Sequence, residues 1–384
     1  MTSRLEELIA ELCPNGVEYK KIGDVADVKT GKSNGNEAEE DGLYPFFVRS
    51  ENIKRKNDWE YDEEAIIIPG EGGIGDIYHY IKGKYALHQR VYRVHFEEPI
   101  VNTRFAYYYF KSNFKRFIIR KAVSATVTSI RKPMIEDFEI PVPPLDVQAE
   151  IVRILDTFTE LTAELTAELT ARKKQYEYYR DTLLTFNDNN PLHSLISHYC
   201  PNGVEYKKIG DICNISVGGD VPKNSMSKQK TEKYSVPIIS NGIGENALYG
   251  YTDVPKVKEP GVTVAARGTI GYAEYRDYPF YPIIRLLTAV PKDATAVNTK
   301  YLYYCLQGKQ YSSPTGGIPQ LTAPELEKVS IPVPPLEVQH QIVQILDRFD
   351  ALCNDLAQGL PAEIEARRKQ YEYYRNQLLT FKRA

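Results

Sequence analysis

The chain contains the same sequence frame twice, and this duplication constrains its fold more than any other feature. CPNGVEYKKIGD occupies residues 13–24 and returns letter for letter at residues 200–211, an offset of 200 − 13 = 187. Two further pairs of segments repeat closely: IPVPPLDVQAEIVRILDTF (140–158) with IPVPPLEVQHQIVQILDRF (331–349), and RKKQYEYYRDTLLTF (172–186) with RRKQYEYYRNQLLTF (367–381). Because each repeat unit builds the same supersecondary structure, the chain is predicted to fold as two related halves.

The segments enclosed by these frames, 25–139 and 212–330, have diverged from each other. They keep only landmarks, such as GGIG at 72–75 opposite GTIG at 268–271, and NTRFAYYYF from Asn102 opposite NTKYLYYCL from Asn298. A nearly constant frame around two unlike inserts indicates one shared scaffold and two different recognition tasks.

Each insert is predicted to be an α+β domain with an irregular sheet. Short apolar runs such as AIIIP and GVTVAA are broken by Gly and Pro at strand-like intervals. NTRFAYYYFKSNFKRFI predicts a helix capped by Asn or Thr, and MTSRLEELIAEL predicts a short amphipathic helix. PGEGGIGD at 69–76 is interpreted as a hairpin turn, since it lacks the Lys and Ser/Thr of a phosphate-binding loop.

A helical stripe of apolar residues follows each PVPP segment, whose prolines end the preceding domain. The first stripe is Ile151, Ile154, Phe158, Leu161, Leu165, Leu169, Tyr176, Tyr179, Leu183 and Phe186. The second is Ile342, Ile345, Phe349, Leu352, Leu356, Leu360, Ile364, Tyr371, Tyr374, Leu378 and Phe381. Two matching helices of about 60 Å are expected to pack as an antiparallel coiled coil.

LTAELTAELTA at 161–171 spaces its leucines at four residues. Phe158 to Arg172 spans 14 positions and Phe349 to Arg367 spans 18, so the second helix holds one extra step of four. Such a step advances a helix by about 6 Å and rotates its stripe by only about 40°. The repeat is therefore a tolerable way to change helix length, although core leucines in a helix-favouring sequence are an alternative. Gly359 and Pro361 predict a kink or a short break in the second helix.

These patterns predict an α+β chain with a pseudo-twofold internal repeat: two similar α/β domains separated by two long antiparallel helices. The predicted segments are a first domain at 1–145, a first spacer helix at 146–186, a second domain at 187–336 and a second spacer helix at 337–384.

The sequence predicts no catalytic residues and no metal site. H-E-x-x-H, G-x-S-x-G and C-x-x-C motifs do not occur, and the five separated cysteines are typical of reduced cytoplasmic thiols. A net charge of −3 argues against wholesale coating by nucleic acid and leaves room for local basic patches.

Basic and polar residues nevertheless cluster at predicted turns of the inserts, where they could reach phosphates and base edges. The DNA-binding candidates are Lys29, Lys32, Ser33, Arg49, Lys54, Arg55, Lys56, Arg131 and Lys132 in the first insert, and Lys223, Asn224, Lys228, Asn241 and Arg267 in the second. Loops of any soluble protein also carry such residues, so a purely solvated role stays open for each.

The duplicated frame, the IPVPPL segment with Gln three residues on, and the long helix ending in RKKQYEYYR and RRKQYEYYR resemble the specificity subunits of type I restriction-modification enzymes. The resemblance implies two target-recognition domains, each reading half of a bipartite sequence in double-stranded DNA, with helices that set the non-specific gap. It also implies a cytoplasmic, non-catalytic chain with no membrane association and no cofactor of its own.

The partners that the resemblance implies are two adenine methyltransferase subunits, which hold S-adenosylmethionine, and nucleolytic motor subunits that use ATP and Mg²⁺. Tyr176, Tyr179, Tyr371 and Tyr374 are assigned to helix packing or to the methyltransferase interface. A coiled-coil adaptor that binds proteins is the alternative function, while the missing cofactor motifs argue against a fragment of a self-contained methyltransferase.

Overall fold

The computed structural model describes residues 3–97, 99–121, 129–284, 286–309, 311, 320–354 and 358–384. The chain divides into two compact units: unit 1 comprises Met1–Thr166 with Glu363–Ala384, and unit 2 comprises Ala167–Ala362. The division falls inside the first long helix, so each unit contains one insert together with parts of both spacer segments.

Unit 1 is built from a six-stranded sheet, a two-stranded ribbon and flanking helices. Its strands are β1 Tyr19–Lys21, β2 Asp27–Thr30, β3 Tyr44–Phe47, β4 Lys54–Lys56, β5 Tyr61–Pro69, β6 His79–Leu87, β7 Val91–His95 and β8 Glu139–Pro141. Its helices are α1 Ser3–Leu12, α2 Ile22–Val25, α3 Thr103–Lys121 and α4 Lys132–Glu136, followed by the start of α5 Leu145–Leu183. The large sheet has the order β2-β7-β5-β6-β3-β4, and only its β3/β6 pair is parallel among the described strands.

Unit 2 repeats this plan with two four-stranded sheets. Its strands are β9 Tyr206–Lys208, β10 Cys213–Val217, β11 Met226–Ser227, β12 Val236–Ile239, β13 Leu248–Thr252, β14 Gly261–Ala265, β15 Ala273–Arg276, β16 Tyr281–Pro282, β17 Leu286–Pro291 and β18 Ser330–Pro332. Its helices are α6 His193–Tyr199, α7 Ile209–Ile212, α8 Thr299–Leu306, α9 Ala323–Glu327 and α10 Leu336–Asn354, and α11 Leu360–Leu378 begins at its end. The sheet orders are β10-β17-β14-β15 and β11-β13-β12-β16.

The local predictions for the inserts are confirmed by these elements. α3 is capped by Asn102, whose Oδ1 accepts hydrogen bonds from the backbone N–H groups of Arg104 (2.9 Å) and Phe105 (3.1 Å). PGEGGIGD connects the antiparallel strands β5 and β6, as a hairpin turn must. The core of unit 1 lies between the apolar side chains of β5 and β7 and the aromatic face of α3. β-Branched residues form the sheet side of this core and phenylalanines form the helix side.

One buried glutamine joins each insert to its frame. The Gln148 side chain accepts a hydrogen bond from the Asn102 N–H (2.7 Å) and donates to the carbonyls of Ile100 (2.8 Å) and Pro143 (2.6 Å). Gln339 makes the same three bonds in unit 2, to Asn298, Ala296 and Pro334. The Gln that follows each IPVPPL segment therefore fixes the helix cap of its insert against the start of the long helix.

The two long segments differ in continuity. α5 runs unbroken for 39 residues, close to the predicted range 146–186. The segment predicted as a single helix at 337–384 instead consists of α10 and α11, with Pro361 in the first turn of α11. Proline fits the first turn of a helix, where its missing N–H has no intrahelical partner, so the expected break next to Gly359 is confirmed.

The leucines of the four-residue repeat do not all point into a core. Leu161 is 41% exposed, and Leu165 and Leu169 are half-buried. The side-chain hydroxyls of Thr162 and Thr166 donate hydrogen bonds to backbone carbonyls one turn earlier in the helix, at 2.8 and 2.7 Å. The alternative that these leucines are simply core residues therefore does not hold for Leu161.

Candidate nucleic-acid interface

The turn between β5 and β6 approaches a neighbouring backbone closely enough to need glycine. Gly72 has φ +77°, and a Cβ at this position would lie 2.5 Å from the Arg49 carbonyl oxygen. Any larger residue would push the loop after β3 away from the turn. The glycines thus bring the segment after β5 into contact with the segment after β3.

Two arginines meet at this turn, and the backbone of a third lies beside it. The Glu71 carboxylate accepts hydrogen bonds from Nη1 of Arg49 (3.0 Å) and from Nη1 of Arg90 (2.7 Å). The Gly70 N–H donates to the Arg90 carbonyl (2.9 Å), and the Gly70 carbonyl accepts from the Ile130 N–H (2.8 Å), which places Arg131 beside the turn. We name Arg49, Arg90 and Arg131 with Glu71 the arginine cluster.

The arginine cluster holds three cations and one carboxylate at the surface of unit 1. The side chains of Arg49 and Arg90 are 48% and 57% exposed. The hydrogen bond from Arg49, together with Arg90, lowers the pKa of Glu71, so this carboxylate stays ionised and orients both guanidinium groups. The net positive charge and the fixed donors suit a phosphate or the acceptor edge of a guanine.

The loop after β2 lies near this cluster, but one predicted DNA contact in this loop, Ser33, and one at the end of β4, Lys56, are turned inward. Ser33 is 4% exposed and donates to Glu60 Oε1 at 2.6 Å. Lys56 Nζ donates to Ser33 Oγ (2.9 Å) and to Glu37 Oε2 (2.7 Å). Ser33 and Lys56 therefore hold loops together.

Unit 2 brings the same two loops together with different side chains. Asn241 follows β12 by two residues, as Arg49 follows β3, and its Nδ2 donates to the Arg267 carbonyl at 2.7 Å. Arg267 precedes GTIG, so it occupies the position of Glu71 before GGIG. The Leu321 N–H donates to the Ala266 carbonyl at 2.8 Å, which matches the Ile130 bond to Gly70. Where unit 1 offers Arg and Glu, unit 2 offers Asn and Arg.

The other predicted residues fall into three groups by their contacts. Side chains paired with a carboxylate are Lys29 with Asp27 and Lys132 with Glu136. Side chains that donate to backbone carbonyls are Lys54 to Gly35, Arg55 to Gly42 and Leu43, and Lys228 to Tyr249. Side chains that bond to no other described residue are Lys32, Arg131, Lys223, Asn224 and Arg267.

Sequence analysis did not select Arg90 as a DNA-binding candidate, because nothing in LHQRV distinguishes it from an ordinary surface arginine.

Lys223 and Asn224 line an open surface cleft of about 830 Å³ with Ile284, and both lie on the loop between β10 and β11. The structure therefore brings Arg49 and Arg90 together in unit 1, with Arg131 following a residue bonded to the same turn, and it pairs the Asn241 side chain with the Arg267 carbonyl in unit 2.

The four predicted partner tyrosines make packing contacts within their own units. Tyr374 stacks on Phe158 at 5.6 Å, with Tyr371 edge-on to the same ring. Tyr179 stacks on Phe349 at 5.1 Å, and Tyr176 is buried with its hydroxyl on Gln307. These contacts agree with the packing half of the prediction, and they leave partner binding by these rings as a prediction.

Two other tyrosines of the same repeated motif face solvent. Tyr178 is 66% exposed and Tyr373 is 59% exposed, and they occupy equal places in QYEYYR. Their exposure could have been predicted from the helical periodicity, since both tyrosines lie off the apolar stripe that contains their neighbours.

Comparison with known proteins identifies the family. The model for the type I restriction modification DNA specificity domain matches twice, at residues 14–172 and 201–366. The chain belongs to this family. It is thus a type I restriction-modification specificity subunit with two recognition domains, as the duplicated frame indicated.

Relatives match over 80% or more of the chain. A Mycoplasma pneumoniae protein named as a type I specificity subunit is 34% identical over 320 residues, 80% of this chain and 90% of the relative. A Haemophilus influenzae protein named as a type I restriction enzyme specificity subunit is 32% identical over 392 residues, 95% and 96% of the two chains. The crystal structure of the S subunit from M. genitalium has the same fold, with a TM-score of 0.62 at 16% identity over 95% of this chain and 97% of that chain.

Two further observations concern the described part of the chain. Within those ranges, no group of three or more His, Cys, Asp or Glu side chains could hold a metal ion. No described helix is both long enough and apolar enough to cross a membrane.

Proposed function

We propose that this specificity subunit reads a bipartite target in double-stranded DNA, one half-site with each insert. The observation that carries the proposal is the paired loop contact that both units share. Arg49 and Glu71 meet in unit 1, while Asn241 and Arg267 meet in unit 2. Because Arg pairs with guanine and Asn with adenine edges, the same fold position would read different bases in the two half-sites.

The arginine cluster supports phosphate contact in unit 1. Glu71 orients Arg49 and Arg90, and Arg131 lies beside the turn without a described partner. A phosphate oxygen would accept from the same guanidinium donors, with Glu71 fixing their direction. Lys32 is exposed and would extend this contact along the DNA backbone, and the exposed Lys223 and Asn224 would contact phosphates in unit 2.

The spacer helices are proposed to set the gap between half-sites as an antiparallel pair, in a pseudo-twofold arrangement. α5 is supported as a rigid spacer by its unbroken 39 residues. A change of one four-residue step corresponds to about 6 Å of helix, close to two base pairs of DNA.

The partner surface is proposed to include Tyr178 and Tyr373. Exposed tyrosines at equal places of a repeated motif present one surface twice, which suits two copies of a single partner. We assign this partner as the adenine methyltransferase subunit. It would supply S-adenosylmethionine and the transfer chemistry, motor subunits would supply ATP- and Mg²⁺-dependent cleavage, and this chain would catalyse neither step.

The test is to co-express the chain with the methyltransferase encoded beside it and to sequence modified adenines in host DNA. A single split motif is expected. Arg90→Ala should weaken methylation through one half-site and Arg267→Ala through the other, while Arg116→Ala, an exposed residue of α3, should change neither. Co-purification of both proteins without any methylated motif would instead favour a protein-binding adaptor.

A further inference from the structure

The identical CPNGVEYKK segments of the two units differ in what covers them. In unit 1, an extended segment at 381–384 lies along Val17 as a parallel bridge to Arg383. The Val17 N–H donates to the Lys382 carbonyl (2.8 Å), and the Ala384 N–H donates to the Val17 carbonyl (3.1 Å). Val17 is 4% exposed under this cover.

Side chains complete the docking in unit 1. The Arg383 guanidinium lies 4.7 Å from the centre of the Tyr19 ring and also pairs with Glu139. The Tyr19 hydroxyl donates to the Phe381 carbonyl at 3.3 Å. Gly16 is required for the approach, since a Cβ there would lie 2.8 Å from the Lys382 carbonyl oxygen.

The same peptide is open in unit 2. No described residue bonds to the backbone N–H or carbonyl of Val204, and Tyr206 is 58% exposed. Gly203 keeps φ +87°, close to the +101° of Gly16, yet a Cβ there would meet nothing within 4 Å. β9 pairs with β18 as β1 pairs with β8, so the supporting backbone is the same. We name residues 200–206 the open edge.

The chain does not fill the open edge with its own equivalent residues. Positions 186–189 correspond to 381–384 by the offset of 195. There the chain turns, and the Asn190 side chain donates to the carbonyls of Leu183 (3.0 Å) and Thr185 (2.9 Å) at the end of α5. That segment therefore serves as a helix cap and leads into α6.

The charges beside the open edge differ from those in unit 1, because a carboxylate is missing there. Ser330 replaces Glu139 in the repeat, so the anionic partner of Arg383 has no counterpart. A cavity of about 310 Å³ beside Tyr206 is lined by Arg180 and Lys309, with Asp181 as its carboxylate. Arg180 is paired with Asp181, and Lys309 donates to the Ser330 carbonyl, so one cation remains in excess.

We propose that the open edge docks an extended segment of a partner chain that carries an acidic side chain where Arg383 lies in unit 1. The Val204 N–H and carbonyl pair with the partner backbone, as strand addition does at other sheet edges. The acidic side chain reaches Lys309 and Arg180. Because Arg383 of the 381–384 segment would lack its Glu139 partner at this edge, a second copy of that segment is not the preferred occupant.

Two synthetic hexapeptides test the proposal with the full chain, read by fluorescence anisotropy. LTFKRA copies residues 379–384, and LTFKEA reverses the one charge. LTFKEA is expected to bind about tenfold more tightly than LTFKRA, as one additional charge pair allows. Tyr206→Ala should weaken LTFKEA binding about tenfold, Lys309→Glu should invert the preference, and Tyr199→Ala should change neither affinity.

Hydrogen exchange gives a readout that needs no variant. Bound LTFKEA should slow exchange in the segment 200–208 and leave 13–21 unchanged. Absence of binding by either peptide, tighter binding of LTFKRA, or slowed exchange only outside 200–208 would each overturn the proposal.

Discussion

At the scale of single residues, two buried glutamines show how the frame controls the inserts. Gln148 and Gln339 are fully buried, and each uses its amide to satisfy one backbone N–H and two carbonyls. A buried amide with all of these partners holds three chain segments in one geometry. The divergent inserts can therefore change their surface residues while their attachment to the frame stays the same.

Replacing either glutamine by leucine should destabilise its unit. Gln148→Leu leaves the Asn102 N–H and two carbonyls without these partners, so a loss of about 2–4 kcal/mol in the free energy of unfolding is expected. Urea denaturation of the variant and of Gln339→Leu measures the loss. The control is Gln229→Leu, on an exposed loop, and it should change the free energy of unfolding by close to zero. An equal loss in the control would show that the buried amides have no special role.

The acid sensitivity of unit 1 should depend on Asp27. Burial opposes ionisation of Asp27, but the hydrogen bond from Lys29 and the charge of Arg93 outweigh it and lower the pKa of this carboxyl. A lowered pKa means that the ionised form is favoured by folding. The folding stability that the ionised Asp27 contributes is therefore fully present above the unfolded-state pKa of about 3.9, and it is lost as the pH falls through the folded-state pKa.

Asp27→Asn should therefore flatten the acid limb of the stability profile. Unfolding free energies at neutral pH and across the acid range below about pH 5 compare the two proteins. The original chain is expected to lose more stability across that range than the variant. Equal losses would show that other carboxylates dominate the acid response.

At the scale of elements, the four-residue repeat in α5 combines helix continuity with weak burial. Leu161 is exposed and the threonines bond back along the helix, so removing one repeat unit takes away little packing. Removing four residues turns the helix by about 400°, which leaves the remaining stripe displaced by about 40°. The middle of α5 is therefore where the chain should tolerate a change of length.

Deletion of Thr166 to Leu169 should shorten the gap between the methylated half-sites and leave their sequences unchanged. The expected change is about 6 Å, or close to two base pairs, with part absorbed by helix tilt and DNA bending. Sequencing of modified adenines measures the gap directly. Insertion of one further TAEL unit is the matched control and should lengthen it; altered half-site bases would show that the helix also positions the reading loops.

At the scale of the whole molecule, duplication gives each half the same exposed tyrosine. Tyr178 and Tyr373 are the exposed tyrosines of the two copies of QYEYYR, while the adjacent Tyr179 and Tyr374 pack inside their own units. An exposed aromatic ring is a frequent anchor at protein interfaces, because it buries a large area at low entropy cost.

Each tyrosine should therefore anchor one methyltransferase copy. Native mass spectrometry of the co-expressed complex should show two copies for the original chain, mainly one for Tyr178→Ala or Tyr373→Ala, and few for the double variant. Tyr199→Ala, also exposed, serves as the control. Two bound copies in the double variant would place the docking surface elsewhere.

The sequence by itself determined the duplication, the family, the α+β character of the inserts, the long first helix and the break before Pro361. Each of these depends on identity, spacing or periodicity along the chain, which can be recognised without knowing which segments meet in space. The hairpin at 69–76 and the Asn102 cap were predictable for the same reason, since a turn or a cap depends on a few neighbouring residues.

The tertiary structure alone decided which polar residues are available. Ser33 and Lys56 are engaged with Glu60 and Glu37, whereas Arg90 joins Arg49 at Glu71. Composition could not show this, because these partners are 19 to 27 residues apart and meet only when separate loops are brought together. The same holds for CPNGVEYKK, which is covered at Val17 and open at Val204: identical residues acquire different roles because distant segments decide what lies against them.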